Sequence, residues 1–248
     1  MTIEEKVQAV EGVFNALDKE IASFQNWSGL HWKFGCGKCC FKADIEATIL
    51  EFLPFAHYLY QQSKAYEWFE SLKSNDSSIC QILNPTQSGA GLCKEYPHRG
   101  LICRLFGYSA RTNKYSDKEL ITCQIIKTEQ SGNYKEAVDG IAAGKDVPMM
   151  NQYYMQLLAI DMDLTREFYP INEAIKGAIE VVLSYYAYRS ESWIVVTIFW
   201  ASTVAEGVPI DGSIFRETSP ESVETGRSHN VSMMMIATAI PSRIENSL

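Results

Sequence analysis

The sequence predicts a mainly α-helical protein in which an irregular, cysteine-rich segment with few short strands separates the helices. Apolar residues recur at helical spacing at the start of the chain and again after residue 149. All seven cysteines lie within residues 36–123, and residues 74–100 are rich in residues that favour turns. We therefore expect helices on either side of a segment whose backbone is not held by regular secondary structure.

The first helix has the clearest signal. Residues 2–26 form an amphipathic pattern that ends near Ser28 and Gly29, as a helix C-terminus commonly does. The apolar positions of this pattern are Ile3, Val7, Val10, Phe14, Leu17, Ile21 and Phe24. Residues 33–43 follow with two glycines and three cysteines. We expect a tight loop there, because glycine permits the turns that bring several sulfur atoms to one side.

The next two helices have weaker signals. Thr48 and Glu51 have the Thr-x-x-Glu spacing of a capping box, which predicts a helix that continues through Leu59. Pro54 lies near its start and predicts either a kink or a shifted first turn. A further helix is expected over residues 65–72.

Five segments follow the turn-rich region. Residues 101–108 and 120–126 are short apolar runs that fit either strands or helical turns. Residues 149–165 and 171–188 carry apolar side chains at helical spacing and predict two helices. Residues 190–200 are β-like in composition.

The end of the chain differs in composition from the rest. Residues 201–248 are rich in Ser, Thr, Glu and Gly and show little periodicity, so we expect about the last 35 residues to be weakly ordered. We therefore divide the chain into a helical domain that contains the cysteines, residues 1–189, and a C-terminal extension, residues 190–248.

The bulk composition excludes several classes of protein. An apolar fraction of 46% supplies enough side chains for a core, and a net charge of −8 argues against bulk nucleic-acid binding. The longest apolar run, Trp193–Trp200, is shorter than the roughly 20 residues of a bilayer span. The acidic first residues are unlike a secretory signal. We expect a cytoplasmic protein without a membrane partner, in which the cysteines stay reduced.

The spacing of the first cysteines indicates a metal site. Cys36 and Cys39 are separated by two residues, the half-site spacing of zinc ribbons and iron–sulfur loops. The adjacent Cys40 favours a site with two metals or a multi-iron cluster, because its sulfur must point a different way from that of Cys39. Seven thiols also exceed the four ligands of a single zinc ion, so either some cysteines are not ligands or more than one ion is held. Two alternatives stay open: Cys80 or Cys123 could each be a buried small hydrophobe, and Cys36 with Cys39 could be a redox pair.

A second group of polar residues surrounds two later cysteines. Cys93 and Cys103 flank a turn that also contains Arg99 and His98, and Arg104 follows directly. Clustered thiolates repel each other, and a guanidinium or a bound cation offsets that cost. Arg99 and Arg104 are therefore expected to support the centre, whereas His98 is either a ligand or an ordinary turn residue.

Together the two groups of cysteines resemble the YkgJ-type CxxCxxCC family of zinc- or iron-chelating domains over residues 30–125. The matching residues are Cys36, Gly37, Cys39, Cys40, Cys80, Cys93, Tyr96, Arg99, Cys103 and Arg104. Two positions depart from the family pattern: Lys33 stands where the family has its first cysteine, and Gly100 where it has proline. The resemblance implies that zinc or iron, including iron in an iron–sulfur cluster, is bound by Cys36, Cys39, Cys40, Cys80, Cys93 and Cys103. Cys123 or a non-cysteine group would replace the missing ligand.

Three classes of function are compatible with this pattern. The first is a metal-binding protein with a structural or storage role. The second is an iron-dependent or methyl-transfer enzyme, since flagellin lysine methylases are similar in their cysteine cluster, although no glycine-rich motif for S-adenosylmethionine is visible. The third is an interaction module that a metal shapes for an unidentified protein partner. No catalytic acid–base pair or nucleophilic triad is assigned.

Overall fold

A computed structural model describes residues 1–32, 36–86 and 91–205 of the chain, with side chains as far as residue 189. The chain divides into two compact units, Met1–Phe199 and Trp200–Leu248, and the first contains the cysteines. This unit is mainly α-helical with short paired strands, which confirms the predicted fold class.

The helices are α1 (Ile3–Ser28), α2 (Leu53–Gln61), α3 (Ala65–Lys73), α4 (Leu101–Leu105), α5 (Gln124–Glu129), α6 (Ser131–Ala142), α7 (Met150–Ile160) and α8 (Ile171–Ala205). The strands are β1 (Glu46–Ala47), β2 (Leu83–Pro85), β3 (Gly91–Cys93), β4 (Ser109–Thr112), β5 (Lys118–Ile121) and β6 (Tyr169–Pro170). They pair in antiparallel couples, β1 with β6, β2 with β3 and β4 with β5. Single 3-10 turns span Lys38–Phe41, Leu50–Phe52 and Tyr96–His98.

Helix α1 begins and ends with strong local signals. The Thr2 hydroxyl accepts a hydrogen bond from the Glu5 N–H, and the Glu5 carboxylate accepts one from the Thr2 N–H at 2.8 Å, which completes a capping box. Gly29 ends the helix in a left-handed conformation, and its N–H donates to the Gln25 carbonyl. All seven apolar positions predicted for this helix are buried, so this prediction is confirmed.

Helices α2 and α8 both contact the cysteine-rich segment. Pro54 is in the first turn of α2, where its missing N–H needs no partner, so it shifts the helix start and does not kink the helix. Helix α8 directly follows the β1–β6 pair, in which Ala47 faces Tyr169. Its first half buries Ile175, Ile179 and Val182 in the core.

Three segments differ from expectation. The run 101–108 is a helix that leads into a strand, and the run 120–126 is a strand that leads into a helix. Residues 190–200 continue α8, so the β-like interpretation was wrong. No glycine or proline interrupts this run, and periodicity alone does not separate a short apolar strand from a helix. Helix α6 had not been predicted, because it buries few apolar side chains.

The C-terminal part of the chain was the subject of two further predictions. The prediction of weak order for about the last 35 residues lies outside the described residues, and the division at residue 189 stays a prediction. In the described part of the chain, no helix combines the length and apolar character that crossing a bilayer requires.

Candidate metal centre

The loop that carries the first cysteines is closed by a contact between two glycine backbones. Gly37 has a left-handed φ of 52°, and its carbonyl accepts the Cys40 N–H at 2.9 Å. A Cβ added to Gly37 would lie 2.4 Å from the carbonyl oxygen of Gly91 in β3. The absence of a side chain at Gly37 therefore lets the Cys39 loop approach the strand that ends at Cys93.

Cys80 lies in an irregular segment that is held from two sides. Its N–H donates to the Cys40 carbonyl at 3.3 Å, which joins it to the first loop. The Asn172 side chain, in the first turn of α8, donates to the carbonyls of Ser77 and Ile79 and accepts the Gln81 N–H at 2.9 Å. These bonds fix the backbone on both sides of the buried Cys80 thiol.

The hairpin formed by β2 and β3 brings Cys93 to the same place. Leu83 pairs with Cys93 across the two strands, and the Leu83 N–H also donates to the Cys80 carbonyl. The Lys94 N–H donates to the Ile82 carbonyl at 3.0 Å and extends the pairing by one bond. The turn-rich segment is therefore anchored by backbone bonds that link Cys80 to Cys93.

Cys103 is carried by the short helix α4, whose start is held by a buried carboxylate. Glu51 is 1% exposed, and its carboxylate accepts the N–H groups of Thr48 at 2.9 Å and Ile102 at 2.8 Å. Burial raises the pKa of Glu51 to about 7, although these bonds act in the opposite direction.

Five of the cysteines form one electrostatically coupled group, which we call the thiol cluster: Cys39, Cys40, Cys80, Cys93 and Cys103. Burial, reinforced by charge on Cys93 and Cys39, raises the pKa of Cys80 to about 11. Burial also raises the pKa of Cys103, reinforced by Cys80, Cys39 and Cys93. The Cys40 thiol donates to the Cys39 sulfur, which lowers the pKa of Cys39 and raises that of Cys40.

The two remaining cysteines lie at different distances from this group along the chain. Cys36 is part-buried and three residues before Cys39 in the same loop. Cys123 is part-buried directly before α5, where its carbonyl accepts the Lys127 N–H. The structure therefore places Cys123 between β5 and α5, on a chain segment other than the four that carry the thiol cluster.

The two arginines have different surroundings. Arg99 lies over the Tyr96 ring at 3.5 Å, and its positive charge opposes the burial that raises the pKa of Cys93. Arg104 is buried and donates to the Asp18 carboxylate and to the carbonyls of Pro97 and Arg99. Arg99 thus acts on the thiols through its charge, whereas Arg104 fixes the backbone of the second cysteine motif to α1.

His98 packs against aromatic side chains. Its ring stacks on Tyr58 with a centroid separation of 4.2 Å and an interplanar angle of 20°, and it also stacks on Phe55. This environment makes His98 part of the contact between the second cysteine motif and α2.

The donor set fits a soft metal ion in its chemistry. Thiolates are the ligands that zinc, iron–sulfur clusters and other soft centres prefer. Within residues 1–32, 36–86 and 91–205, no three cysteine, histidine, aspartate or glutamate side chains are already grouped as metal ligands. Binding at the thiol cluster would therefore require its sulfur atoms to move closer together and lose their protons.

The sequence did not predict that Asn172 and Glu51 position the cysteines. Asn172 fixes the Cys80 segment from a point 92 residues later in the chain, and no local pattern around it indicates this role. Glu51 was recognised only through its spacing from Thr48. Its second bond, to Ile102, depends on the tertiary fold.

Comparison with known proteins agrees with the cysteine pattern. No curated protein and no solved structure matches the chain with significant similarity. Residues 33–130 match the model of the CxxCxxCC family, which is described as a "putative zinc- or iron-chelating domain". The match contains all seven cysteines together with Arg99 and Arg104. It confirms the resemblance over residues 33–130, about two fifths of the chain, and zinc or iron chelation is the property attributed to that family.

Proposed function

We propose that the protein binds zinc or iron at the thiol cluster and that the bound metal has a structural or storage role. The observation that carries this proposal is the convergence of four chain segments on one group of thiols. Backbone bonds join the Cys39–Cys40 loop to Cys80 and the Cys80 segment to strand β3 with Cys93. The charges of Cys80, Cys39 and Cys93 act on the pKa of Cys103 in helix α4.

Proton release provides the chemistry of binding. Burial raises the pKa of Cys80, Cys93 and Cys103, so these thiols hold their protons at neutral pH. A metal cation replaces those protons and removes the repulsion that several thiolates would otherwise have. Arg99 adds a fixed positive charge beside Cys93 and Cys39.

The ligand set that we propose is the thiol cluster together with Cys36, and Arg99 and Arg104 support it. Six thiols exceed the needs of one zinc ion, so either a second ion or a multi-iron cluster is bound, or one or two thiols remain outside. Cys123 is the alternative ligand, because it also lies inside the matched domain.

Metal analysis of the purified protein tests the proposal. The protein is purified without air, its zinc and iron contents are measured, and its visible absorption is recorded. We expect at least one equivalent of zinc or iron per chain, with broad visible absorption if iron is held with sulfide. Less than a tenth of an equivalent of either metal, including after incubation with each metal and removal of the excess, would contradict the proposal.

Paired cysteine variants identify the site. Cys39→Ser should lower both metal content and melting temperature, because it removes a thiol from the centre of the cluster. Cys123→Ser is the matched control, a part-buried cysteine that α5 positions separately, and it should keep the wild-type metal content. Equal metal loss in both variants would make Cys123 a ligand. Unchanged stoichiometry in Cys39→Ser would remove Cys39 from the set.

A metal-dependent enzyme is the second candidate function. It is favoured by an open cavity of about 440 Å³ that is lined by Ile102, Met150 and Tyr154. Ile102 directly precedes Cys103 on α4, so a molecule in this cavity would contact the helix that carries a proposed ligand. A catalytic metal keeps an exchangeable coordination position. Perturbation of the visible spectrum of the cobalt-substituted protein by azide would support this role.

A further inference from the structure

The Glu51 side chain is a buried carboxylate that links two separate chain segments. One oxygen accepts the Thr48 N–H at 2.9 Å and the Thr48 hydroxyl at 3.2 Å. The other accepts the Ile102 N–H at 2.8 Å. Burial of a carboxylate is unfavourable unless its oxygens are hydrogen-bonded. Both oxygens are therefore occupied, and the pairing ties the segment before α2 to the start of α4.

Helix α4 depends on this contact because it cannot cap itself. It has five residues, and the residue at its N-cap is Gly100, which has no side chain to accept the free N–H groups. A helix of this length has no stability of its own. The Glu51 carboxylate takes the place of the missing cap from a distance of 51 residues in sequence.

The surroundings of Gly100 explain why the cap comes from elsewhere. A Cβ at this position would lie 3.2 Å from the Glu51 carboxylate oxygen Oε2 and 2.8 Å from Phe52 Cζ. The space that a side chain would use is therefore filled by the carboxylate and by its neighbour. Cys103 follows Ile102 directly, so the bond at Ile102 determines how α4 presents the Cys103 thiol.

We propose that Glu51 is a positioning residue of the metal centre, which fixes the direction of the Cys103 thiol through the Ile102 N–H. This inference rests on the proposed function. Residues that hold a metal ligand in place commonly contribute about 10-fold to 100-fold in metal affinity. The Thr48 N–H and the Ile102 N–H bind different oxygens of the carboxylate, and glutamine has an NH₂ group in place of one oxygen, so it can accept from only one of them.

The test compares Glu51→Gln with two controls by zinc affinity, cobalt spectroscopy and melting temperature. Glu136→Gln removes an exposed carboxylate from α6, outside the residues that match the family model. Ile141→Ala removes a buried side chain from α6 and lowers stability without touching the centre. Zinc affinity is measured by competition with a chelator well below the melting temperature, and the cobalt–thiolate band is recorded for each variant.

For Glu51→Gln we expect a loss of zinc affinity of about 10-fold to 100-fold and a changed cobalt–thiolate band. Both controls should keep the wild-type affinity and band, even though Ile141→Ala melts at a lower temperature. Wild-type affinity in Glu51→Gln, or weakened binding with an unchanged band, would overturn the inference. If wild-type protein binds neither metal, the proposed function fails and the inference fails with it.

If Glu51→Gln does not fold, a milder variant tests the positioning role of Glu51. Glu51→Asp keeps the charge, but its carboxylate is one methylene closer to the backbone, so it cannot keep both the Thr48 bond and the Ile102 bond. We expect a loss of zinc affinity of about threefold, smaller than for full removal of the carboxylate. An affinity equal to that of the wild type would count against the role of Glu51.

Discussion

Gly37 and Gly91 meet backbone to backbone, so closely that a Cβ on Gly37 would lie 2.4 Å from the Gly91 carbonyl oxygen. Gly37→Ala should destabilise the protein by more than about 2 kcal/mol, because alanine disfavours the left-handed φ of 52° and the new methyl group clashes with backbone. The variant should also lose metal, since the Cys39 loop moves away from β3. Urea denaturation and metal content measure the two effects.

Gly12→Ala is the matched control for this substitution. Nothing lies within 4 Å of the position that its Cβ would occupy in α1, and alanine is the better helix former by about 1 kcal/mol. We therefore expect higher stability and unchanged metal content. If both glycine variants retained full metal content, the close approach of the first loop to β3 would not be required for binding.

We expect Arg104 to contribute mainly to stability and Arg99 mainly to metal affinity. Arg104→Met keeps an apolar stem beside Phe14 but leaves two carbonyls without their donor. We expect a loss of about 2 kcal/mol in the free energy of unfolding. Arg99→Gln removes a charge near Cys39 and Cys93 and should cost less than about 1 kcal/mol.

The affinity measurement separates the two arginines further. Zinc competition at low salt should show weaker binding by Arg99→Gln, and added salt should reduce the difference because it screens the guanidinium charge. A salt-independent loss of affinity would show that Arg99 acts through its bond to the Tyr96 carbonyl instead.

Gly100→Ala tests how α4 packs on the segment before α2. The new methyl group would lie 2.8 Å from Phe52 Cζ and 3.2 Å from Glu51 Oε2, so we expect a destabilisation of about 1–3 kcal/mol. Phe52→Leu removes the ring atom at the closest contact. The double variant should therefore be more stable than the sum of the single effects predicts. Additive effects in urea denaturation would contradict this packing.

The ion pair between Lys6 and Asp161 should make stability depend on pH on the acid side. Burial acts to raise the pKa of Asp161, but the Lys6 ammonium at 2.6 Å and the Leu164 N–H hold it below its ordinary value of 3.8. Because the folded pKa is lower than the unfolded one, this stabilisation is present above pH 3.8 and is lost as pH falls through the folded value.

Lys6→Met checks this dependence. With a chelator present to exclude metal effects, we expect the variant to be less stable than the wild type by about 1 kcal/mol at neutral pH. The difference should vanish at a pH low enough to protonate the folded Asp161 carboxyl. A constant difference across this range would mean that Lys6 stabilises the protein through packing of its stem.

The helices could be predicted where local and global signals agree. In α1, the apolar spacing, the Gly29 C-cap and the buried face coincide, so spacing alone gave its length. The Thr2-x-x-Glu5 spacing of a capping box also indicates where this helix begins, although a capping box was predicted only at Thr48 and Glu51. Residues 190–200 were assigned incorrectly because an apolar run has no period that distinguishes strand from helix.

The cysteine spacing predicted which thiols bind a common metal, but it did not predict which residues hold their chain segments in place. Asn172 and Glu51 act on segments that are far away in sequence, and their partners are backbone N–H and carbonyl groups. Backbone groups are present at every residue, so no sequence pattern identifies which of them a distant side chain will bind. Such contacts become visible only when the fold is known.

The side chains of α1, α2, α7 and the first half of α8 bury one continuous apolar core around which the cysteine loops are arranged. A zinc finger unfolds when its ion is removed, since the ion takes the place of such a core. In this protein the helices pack against one another through their own apolar side chains. If a stronger acceptor withdraws the ion, the apolar core is still present as a scaffold to which metal can return, as the proposed storage role requires.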